Sequence, residues 1–389
     1  MLSVLRRARK SLGRAVLVLC AGALAACVQT TGPGPARGNG GAVQVALLIP
    51  SGSGQTQDEL FGANLENAAR LAMADLSGVA IDLRVYKTGA NPAQAASLAR
   101  QAVDEGAQVI LGPFYSEEAN AAGVAVANSG VSVLAFSNNA AIAGGNVFVL
   151  GPTFDNTARR LANYAVRSGK SNVLIVHDRN VAGDVGRAAI ERGVTAAGGR
   201  VAGVASYEFS QNGIVQAASG IVATARSSGA NAVFMTADTA GALPLLTQLL
   251  VDNGIDRAST QFIGLTRWDI PSATLSLPGV QGGWFAMPDP GLQAQFQSRY
   301  QAAYGSAPAA VAGLAYDGIA AIGALARNAG GAPISRAALT QPAGFAGVSG
   351  IFRLLSNGTN ERGLAIAQIR DNQVVVIESA PRSFAGAGL

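Results

Sequence analysis

From Val43 onward the chain alternates short, nearly continuous apolar runs with longer segments in which alanine, leucine and isoleucine recur at helical spacing. Apolar runs of strand length that carry no polar alternation suit strands covered on both faces, and the helical segments between them supply the cover. The first series of runs is VQVALLIP (43–50), AIDLRVY (80–86), QVILG (108–112), VSVLAFS (131–137) and NVFVLG (146–151), with helices predicted near 60–77, 92–105 and 116–129. A second series follows: NVLIVHD (172–178), RVAGVASYEF (200–209), NAVFMTAD (231–238), TQFIGLT (260–266) and VQGGWFAM (280–287). Helices near 154–168, 184–198, 212–228 and 240–253 separate these runs. Repeated β-α-β order predicts an α/β protein of two doubly wound, Rossmann-like lobes, each built on a parallel sheet.

The remaining third is mixed. Helical patterns at 291–304 and 310–328 precede three strand-like pieces, GIFRLL (350–355), LAIAQIR (364–370) and QVVVIE (373–378), with the turn sequence SNGTN after the first. The chain is therefore expected to return to the first lobe and cross again, with about three crossings near 151–154, 287–291 and 340–346. That assigns 43–151 plus 288–342 to lobe 1 and 152–287 plus 343–389 to lobe 2.

The first 42 residues have another character. Arg6, Arg7, Arg9, Lys10 and Arg14 precede an apolar stretch from Ala15 to Ala26 that ends in LAAC at Cys27. A basic segment, a short apolar run and small residues before a cleavage point make a secretory signal over 1–26. The run falls short of the roughly 20 apolar residues that span a bilayer. Small residues before a cysteine resemble the lipobox of bacterial lipoproteins, which implies a lipid on Cys27; an ordinary signal that happens to end near a cysteine is the alternative. Residues 27–42, rich in Gly, Thr and Pro, read as a flexible tether.

Removing the signal changes the charge balance. The whole chain carries 28 basic and 23 acidic residues, but the five basic residues ahead of Cys27 have no acidic partners, so the mature protein has 23 of each. No basic footprint for nucleic acid survives. Of the two cysteines, Cys20 leaves with the signal and Cys27 bears the lipid, so no thiol remains for a disulfide, a metal or a nucleophile. An extracytoplasmic protein without disulfides then depends on a large apolar core, which a 49% hydrophobic composition supplies.

The order of elements resembles the type I periplasmic binding proteins, in the branch of the leucine/isoleucine/valine-binding proteins. VALLIPSGS, VILGPFYSEEA, FVLGPTFDN, VLIVHD, NAVFMTAD, LAYDGIAAI (314–322) and GFAGVSGIFRLLSNGTNERG (344–363) carry the likeness. SNNAAIAGG (137–145), FIGLTRWDIP and LPGVQGGWFAMPDP are closer to a lipoprotein subgroup, the penicillin-binding protein activators. In such folds a ligand sits outside the carboxyl ends of the strands, between lobes that close by a hinge.

Candidate site residues follow from that geometry. Ser116, after the strand QVILG, and Ser137 with Asn138 and Asn139, after VSVLAFS, stand where the resemblance implies groups for a ligand carboxylate. A helix cap for Ser116 and a polar turn for Ser137 are the structural alternatives. On the facing lobe, Asp238 suits an ammonium group, Arg267 a bidentate anion clamp and Trp268 an apolar wall, with Thr266 and Asp178 also at strand ends. Helix capping is the alternative for Asp178 and Asp238, the preferred one for Asp178, and core burial is the alternative for Trp268. The chain departs from the amino-acid receptors in carrying Ala182-Gly183 after the strand ending in HD, where those have Tyr-Gly. It also carries Thr266 and Arg267 where they have an acid.

Catalysis has little support. The one histidine, His177, has no G-x-S-x-G elbow to serve and no second ligand for a metal. GSG (52–54) lacks the third glycine of a dinucleotide fingerprint, and no cofactor is expected. Two binding functions remain. One is a periplasmic lipoprotein, anchored through Cys27 at the outer membrane, that activates a peptidoglycan synthase (a penicillin-binding protein). The other is a solute receptor that delivers an amino-acid-like ligand to an ABC permease. Val28 after the lipidated cysteine, in place of aspartate, favours the outer membrane and the first reading.

Overall fold

A computed structural model describes residues 41–329 and 334–385. The signal segment, Cys27 and nearly all of the expected tether lie outside the described residues. The first lobe runs β1 (Val43–Ile49), α1 (Thr56–Asp75), β2 (Ile81–Lys87), α2 (Pro92–Asp104), β3 (Val109–Leu111), α3 (Ser116–Ala125), β4 (Ser132–Ala135) and β5 (Val147–Val149). Its sheet is wholly parallel in the order β2-β1-β3-β4-β5. The chain continues through α4 (Phe154–Arg167), β6 (Asn172–Asp178), α5 (Val181–Ala196), β7 (Arg200–Tyr207), α6 (Gln211–Ser228), β8 (Ala232–Met235), α7 (Leu243–Asp252), β9 (Gln261–Gly264) and β10 (Trp284–Met287). These strands repeat the pattern as β10-β9-β8-β6-β7.

Each central strand divides its side chains between two cores, as a period of two requires in a sheet covered on both faces. Val43, Val45, Leu47 and Ile49 of β1 join Leu65, Ala68 and Ala72 of α1, whereas Ala46 and Leu48 join Ala99 and Ala102 of α2 and Ala119 and Ala122 of α3. In the second lobe Leu174 and Val176 of β6 pack with Ile221 of α6 and Leu246 of α7, and Val173 and Ile175 with Leu161 of α4 and Ile190 of α5. Side chains at helix starts fix where several helices begin: Asn91 accepts from the Ala93 and Gln94 amides, Thr153 from Asn156, and Ser210 from Gly213.

After β10 the chain forms α8 (Pro290–Tyr304), α9 (Ala312–Ala329), α10 (Arg336–Leu339) and β11 (Phe345–Gly347), β12 (Gly350–Leu354) and β13 (Asn360–Arg362), then β14 (Ala365–Arg370) and β15 (Gln373–Glu378). β14 and β15 form a hairpin that extends the second sheet antiparallel to β10, closed by Asp371 and Asn372, both at positive φ. The strands β11, β12 and β13 make a separate three-stranded sheet.

The boundary expected near 340–346 falls elsewhere in this arrangement. Phe345, Val348, Phe352 and Leu354 are buried with Leu47, Ile319 and Ile322, in the core of the first lobe. The alternating pattern of β12 marks a strand with one apolar face but does not say which core receives it. The third connection accordingly runs through 355–364, where β13 touches both lobes.

That contact is a buried polar knot. Asn360 Nδ2 donates to the carbonyls of Val149 (2.7 Å) and Gly151 (2.9 Å), and its Oδ1 accepts from Asn156 of α4 at 3.0 Å. Arg362 donates from Nε and Nη2 to the Leu150 carbonyl (3.0 and 2.5 Å) and from Nη1 to Asp317 of α9 at 3.0 Å. Its backbone N–H reaches Asn156 Oδ1 at 2.8 Å. Burial pushes the Asp317 carboxyl upward, while Arg362 and the Val348 N–H pull it back. The other two connections leave from the carboxyl ends of β5 and β10, so the carboxyl edges of both sheets are turned to the same hinge.

Candidate functional site

In sheets of this order the direction of winding reverses between β1 and β3 in the first lobe and between β6 and β8 in the second. Loops at the carboxyl ends of those strands diverge and leave a crevice. On the first lobe the crevice is bordered by the turn after β1, the start of α3 and the turn after β4. Ser116 is the first residue of α3, half-buried; the helix is preceded by Tyr115 with no side-chain cap. The Ser116 hydroxyl makes no hydrogen bond among the described residues, so it is not used as a cap and stands beside the unpaired N–H groups of the first turn.

Ser137, Asn138 and Asn139 take different roles. Ser137 is buried, and its hydroxyl accepts from the Asn139 N–H at 3.1 Å. Asn139 caps a short turn of 3₁₀ helix by accepting from Ala141 at 2.9 Å. These two belong to a polar turn, whereas the Asn138 amide is exposed and without a partner.

Behind Ser116 lies a group of acids that the sequence reading did not single out. Asp58, in the first turn of α1, accepts from Ser53 Oγ (2.6 Å) and from the Tyr115 hydroxyl (2.5 Å). The bond to Asp58, aided by burial, pushes the Tyr115 phenol up to about 12. Glu118 is 1% exposed, and neither carboxyl oxygen completes a hydrogen bond. The nearby Thr88 hydroxyl donates to the Ile49 carbonyl instead, at 2.9 Å. Burial pushes the Glu118 carboxyl upward. Burial, which favours the protonated form of Glu118, lessens the repulsion that an anion at Ser116 meets from that acid. The signal for Glu118 was the run Tyr115-Ser116-Glu117-Glu118, in which the fourth residue faces back under the helix.

The second lobe corrects several expectations. Trp268 is fully buried in the core with Phe262, Val280 and Phe285, and it lines no crevice. Its indole occupies space left by two glycines: a Cβ on Gly264 or Gly283 would come within 2.2 Å of the ring. Arg267 is no free clamp, because Nε and Nη2 grip both oxygens of Asp269. Thr266 is half-buried, its hydroxyl 3.4 Å from the Ala237 carbonyl. Asp178 is not the cap of α5. That role falls to Asn180, which accepts from Gly183 at 2.7 Å, while Asp178 is held by Thr236 Oγ (2.6 Å) and by Asn180 Nδ2. Gly183 fits here because a Cβ would come within 2.1 Å of the Asp178 carbonyl, so the Ala182-Gly183 step is dictated by close approach.

Asp238 is the group this lobe leaves free. It is exposed and has no side-chain partner, and α7 begins beyond it without a side-chain cap. Around it the edge is apolar: Phe209 (59% exposed) lies against Gly241, and Ile270 (54% exposed) accepts from Thr239 at 2.5 Å through its carbonyl. His177 is buried, with Nδ1 3.1 Å from the Asp178 carbonyl. Among the described residues no group of three or more His, Cys, Asp or Glu is placed to hold a metal ion, and no helix is long and apolar enough to cross a membrane.

The crevice therefore offers a free hydroxyl and a helix start on one wall, a free carboxylate amid apolar side chains on the other, and no hydrogen bond or ion pair between those walls among the described residues.

A family model described as periplasmic binding protein matches residues 42–373. No curated protein sequence matches the chain. Among solved structures, a protein described as a branched-chain amino acid ABC transporter from Rhodospirillum rubrum is similar at 20% identity and a TM-score of 0.72, over 86% of this chain and 100% of that one. The leucine binding protein LivK from Thermotoga maritima matches at 19% identity and 0.55, over 87% and 99%. An ABC transporter solute binding protein from Rhodopseudomonas palustris, solved with 3,4-dihydroxy benzoic acid, matches at 18% and 0.57, over 88% and 97%. At such identities the likeness is one of fold.

Proposed function

The chain belongs to the periplasmic binding protein family, with its type I two-lobed fold, and from that premise we propose that it is the solute receptor of an ABC importer for a small, amino-acid-like carboxylate. The observation that carries this reading is the pair of uncommitted groups at the carboxyl edges of the two sheets. The Ser116 hydroxyl, with the N–H groups at the start of α3, receives the carboxylate. Asp238 receives an ammonium group, and Phe209 and Ile270 supply apolar cover for the rest of the ligand. Leucine and 3,4-dihydroxy benzoic acid, named with two of the similar structures, both carry a carboxylate, which supports the assignment of the first wall. Nothing in the arrangement asks for bond chemistry, and the role is binding and release in an extracytoplasmic compartment.

Calorimetric titration with leucine, other aliphatic amino acids and aromatic acids tests the proposal. Ser116→Ala should weaken carboxylate binding about tenfold or more, and Asp238→Asn should act only on ligands that carry an amine. Unchanged affinity in both variants would remove these residues from the site.

A second reading, activation of a peptidoglycan synthase, is favoured by the exposed apolar residues Val181 (82%), Val185 (52%), Phe209 and Ile270 on the edge of the second lobe, which suit a protein surface. In that reading a lipid on Cys27 anchors the protein at the outer membrane. Capture of membrane penicillin-binding proteins by the wild type, lost on Val181→Asp together with Phe209→Asp, would support it; absence of capture would oppose it.

A further inference from the structure

A cavity of about 500 Å³ opens at the opposite edge of the second sheet, where β9 and β10 begin. Its lining includes Arg257, Thr260, Gln261, Phe262, Gly282 and Gln368. The volume is that of a small-molecule site. Arg257 is held in a fixed pose: Nη1 donates to the carbonyls of Pro278 (3.1 Å) and Gly279 (2.8 Å), and the guanidinium lies over the Phe262 ring at 5.1 Å.

Two features combine at this arginine. It has no carboxylate partner within ion-pair distance, unlike Arg84, Arg159, Arg267, Arg299 or Arg362. Partial burial also weakens its hold on its proton, and no acid offsets the loss of water. Since Nη1 is occupied by carbonyls, the side bearing Nε and Nη2 has no acceptor among the described residues. That side is the fork that matches two oxygens of a carboxylate or phosphate. Gly282, also in the lining, lies beside that side of the guanidinium, where a Cβ would stand in ordinary contact with Nη2 at 3.4 Å, and its positive φ of 73° suits glycine.

The surrounding walls are already set. Gln261 Nε2 donates to the carbonyls of Phe262 and Gly282, both at 2.8 Å, and Gln368 Nε2 to Gly282 at 3.0 Å. Both N–H groups of Gln261 are used, whereas Gln368 keeps one N–H without an acceptor among the described residues, beside the Arg257 fork. Thr260, 8% exposed and lining the cavity, has a hydroxyl with no partner. It adds a neutral donor.

We propose that this cavity is a second binding site, separate from the interlobe crevice, in which the free fork of Arg257 and the Thr260 hydroxyl hold the oxyanion group of a small molecule, a carboxylate or a phosphate. The site lies on the far side of the sheet from the hinge, so its occupant can bind whichever way the lobes are set.

The test follows the Arg257 Nε–Hε signal by NMR in the full, ¹⁵N-labelled chain during titration with acetate, citrate, inorganic phosphate and chloride. Acetate, citrate or phosphate should move that signal saturably, and the stronger of carboxylate and phosphate identifies the natural group. Calorimetry on Arg257→Lys, which keeps the charge but loses the fork, should show affinity for the best probe lowered about tenfold or more. Thr260→Val should weaken the same probe by a smaller factor, with the thermal midpoint of each variant confirming a folded protein. No saturable shift with any oxyanion, an equal response to chloride, or undiminished affinity in Arg257→Lys would each overturn the proposal.

Discussion

Replacing Arg362 with methionine should unsettle the hinge more than any change on the surface. The Arg362 side chain is 5% exposed and Asp317 is fully buried, with 3.0 Å between Nη1 and Oδ2. Methionine keeps most of the volume and the contact with Phe352, over whose ring the guanidinium lies at 5.0 Å. It leaves Asp317 with one remaining donor, the Val348 N–H at 2.8 Å, and leaves the Leu150 carbonyl bare. Breaking one side of a buried pair costs about 3–5 kcal/mol. An orphaned buried carbonyl adds about 1 kcal/mol or more, with some of that recovered by relaxation. A net loss of about 4 kcal/mol is expected, a large share of the roughly 5–15 kcal/mol that holds a domain together. The direction with pH follows from Asp317. Burial raises its folded pKa above the unfolded value, and loss of Arg362 raises it further, so the variant is penalised as pH rises through the folded pKa and relieved as pH falls toward the unfolded one. Scanning calorimetry at pH 8 and pH 5 should therefore show a gap from wild type that narrows in acid. The double variant Arg362→Met with Asp317→Asn, which has no unpaired charge, should recover about half of the loss or more. A loss below about 1 kcal/mol, or a double variant no better than the single one, would refute the view that this pair holds the hinge.

Other sites yield simpler tests. Trp268→Ala should cost about 3–5 kcal/mol by urea titration and Trp268→Phe much less, since the indole N–H has no partner; neither should alter ligand affinity of the folded protein. A selective loss of affinity would return Trp268 to the crevice. Glu118→Gln should stabilise the protein more at pH 8 than at pH 5, because a carboxyl with a raised folded pKa loses stability as pH rises, whereas glutamine does not titrate. A pH-independent difference in thermal midpoint would contradict the buried, proton-holding acid. Asn360→Ala removes two donors to the Val149 and Gly151 carbonyls and should lower stability by about 2–3 kcal/mol, with a normal midpoint counting against its role in the crossing.

Much of this molecule could be read from the pattern of apolar runs. Runs such as VQVALLIP and NVLIVHD carry apolar residues on both faces, and a strand of that kind has few places other than the middle of a covered parallel sheet. Periodicity is weaker where a strand has one apolar face, and GIFRLL was accordingly assigned to the wrong lobe: its alternation is equally satisfied by either core. The helix start at Ser116 was legible from the strand end before it, because helix starts there are fixed by the sheet. Trp268 and Arg267 were not, since a loop side chain goes where local space and partners send it. Gly264 and Gly283 made room for the indole, and Asp269, two residues from Arg267, took the guanidinium. The Asp317–Arg362 pair lies within LAYDGIAAI and the run ending in NERG, but two residues that far apart in sequence announce no contact until the fold joins them.

The central claim, that the crevice binds a small carboxylate through Ser116 and the start of α3, is tested most directly by calorimetric titration of the full chain with leucine beside isoamylamine, the same molecule without its carboxylate. Saturable binding of leucine, weakened about a hundredfold or more for the amine and about tenfold by Ser116→Ala, is the predicted result. Equal affinity for the two compounds, or no binding of leucine or any other carboxylate in the panel, would contradict the account.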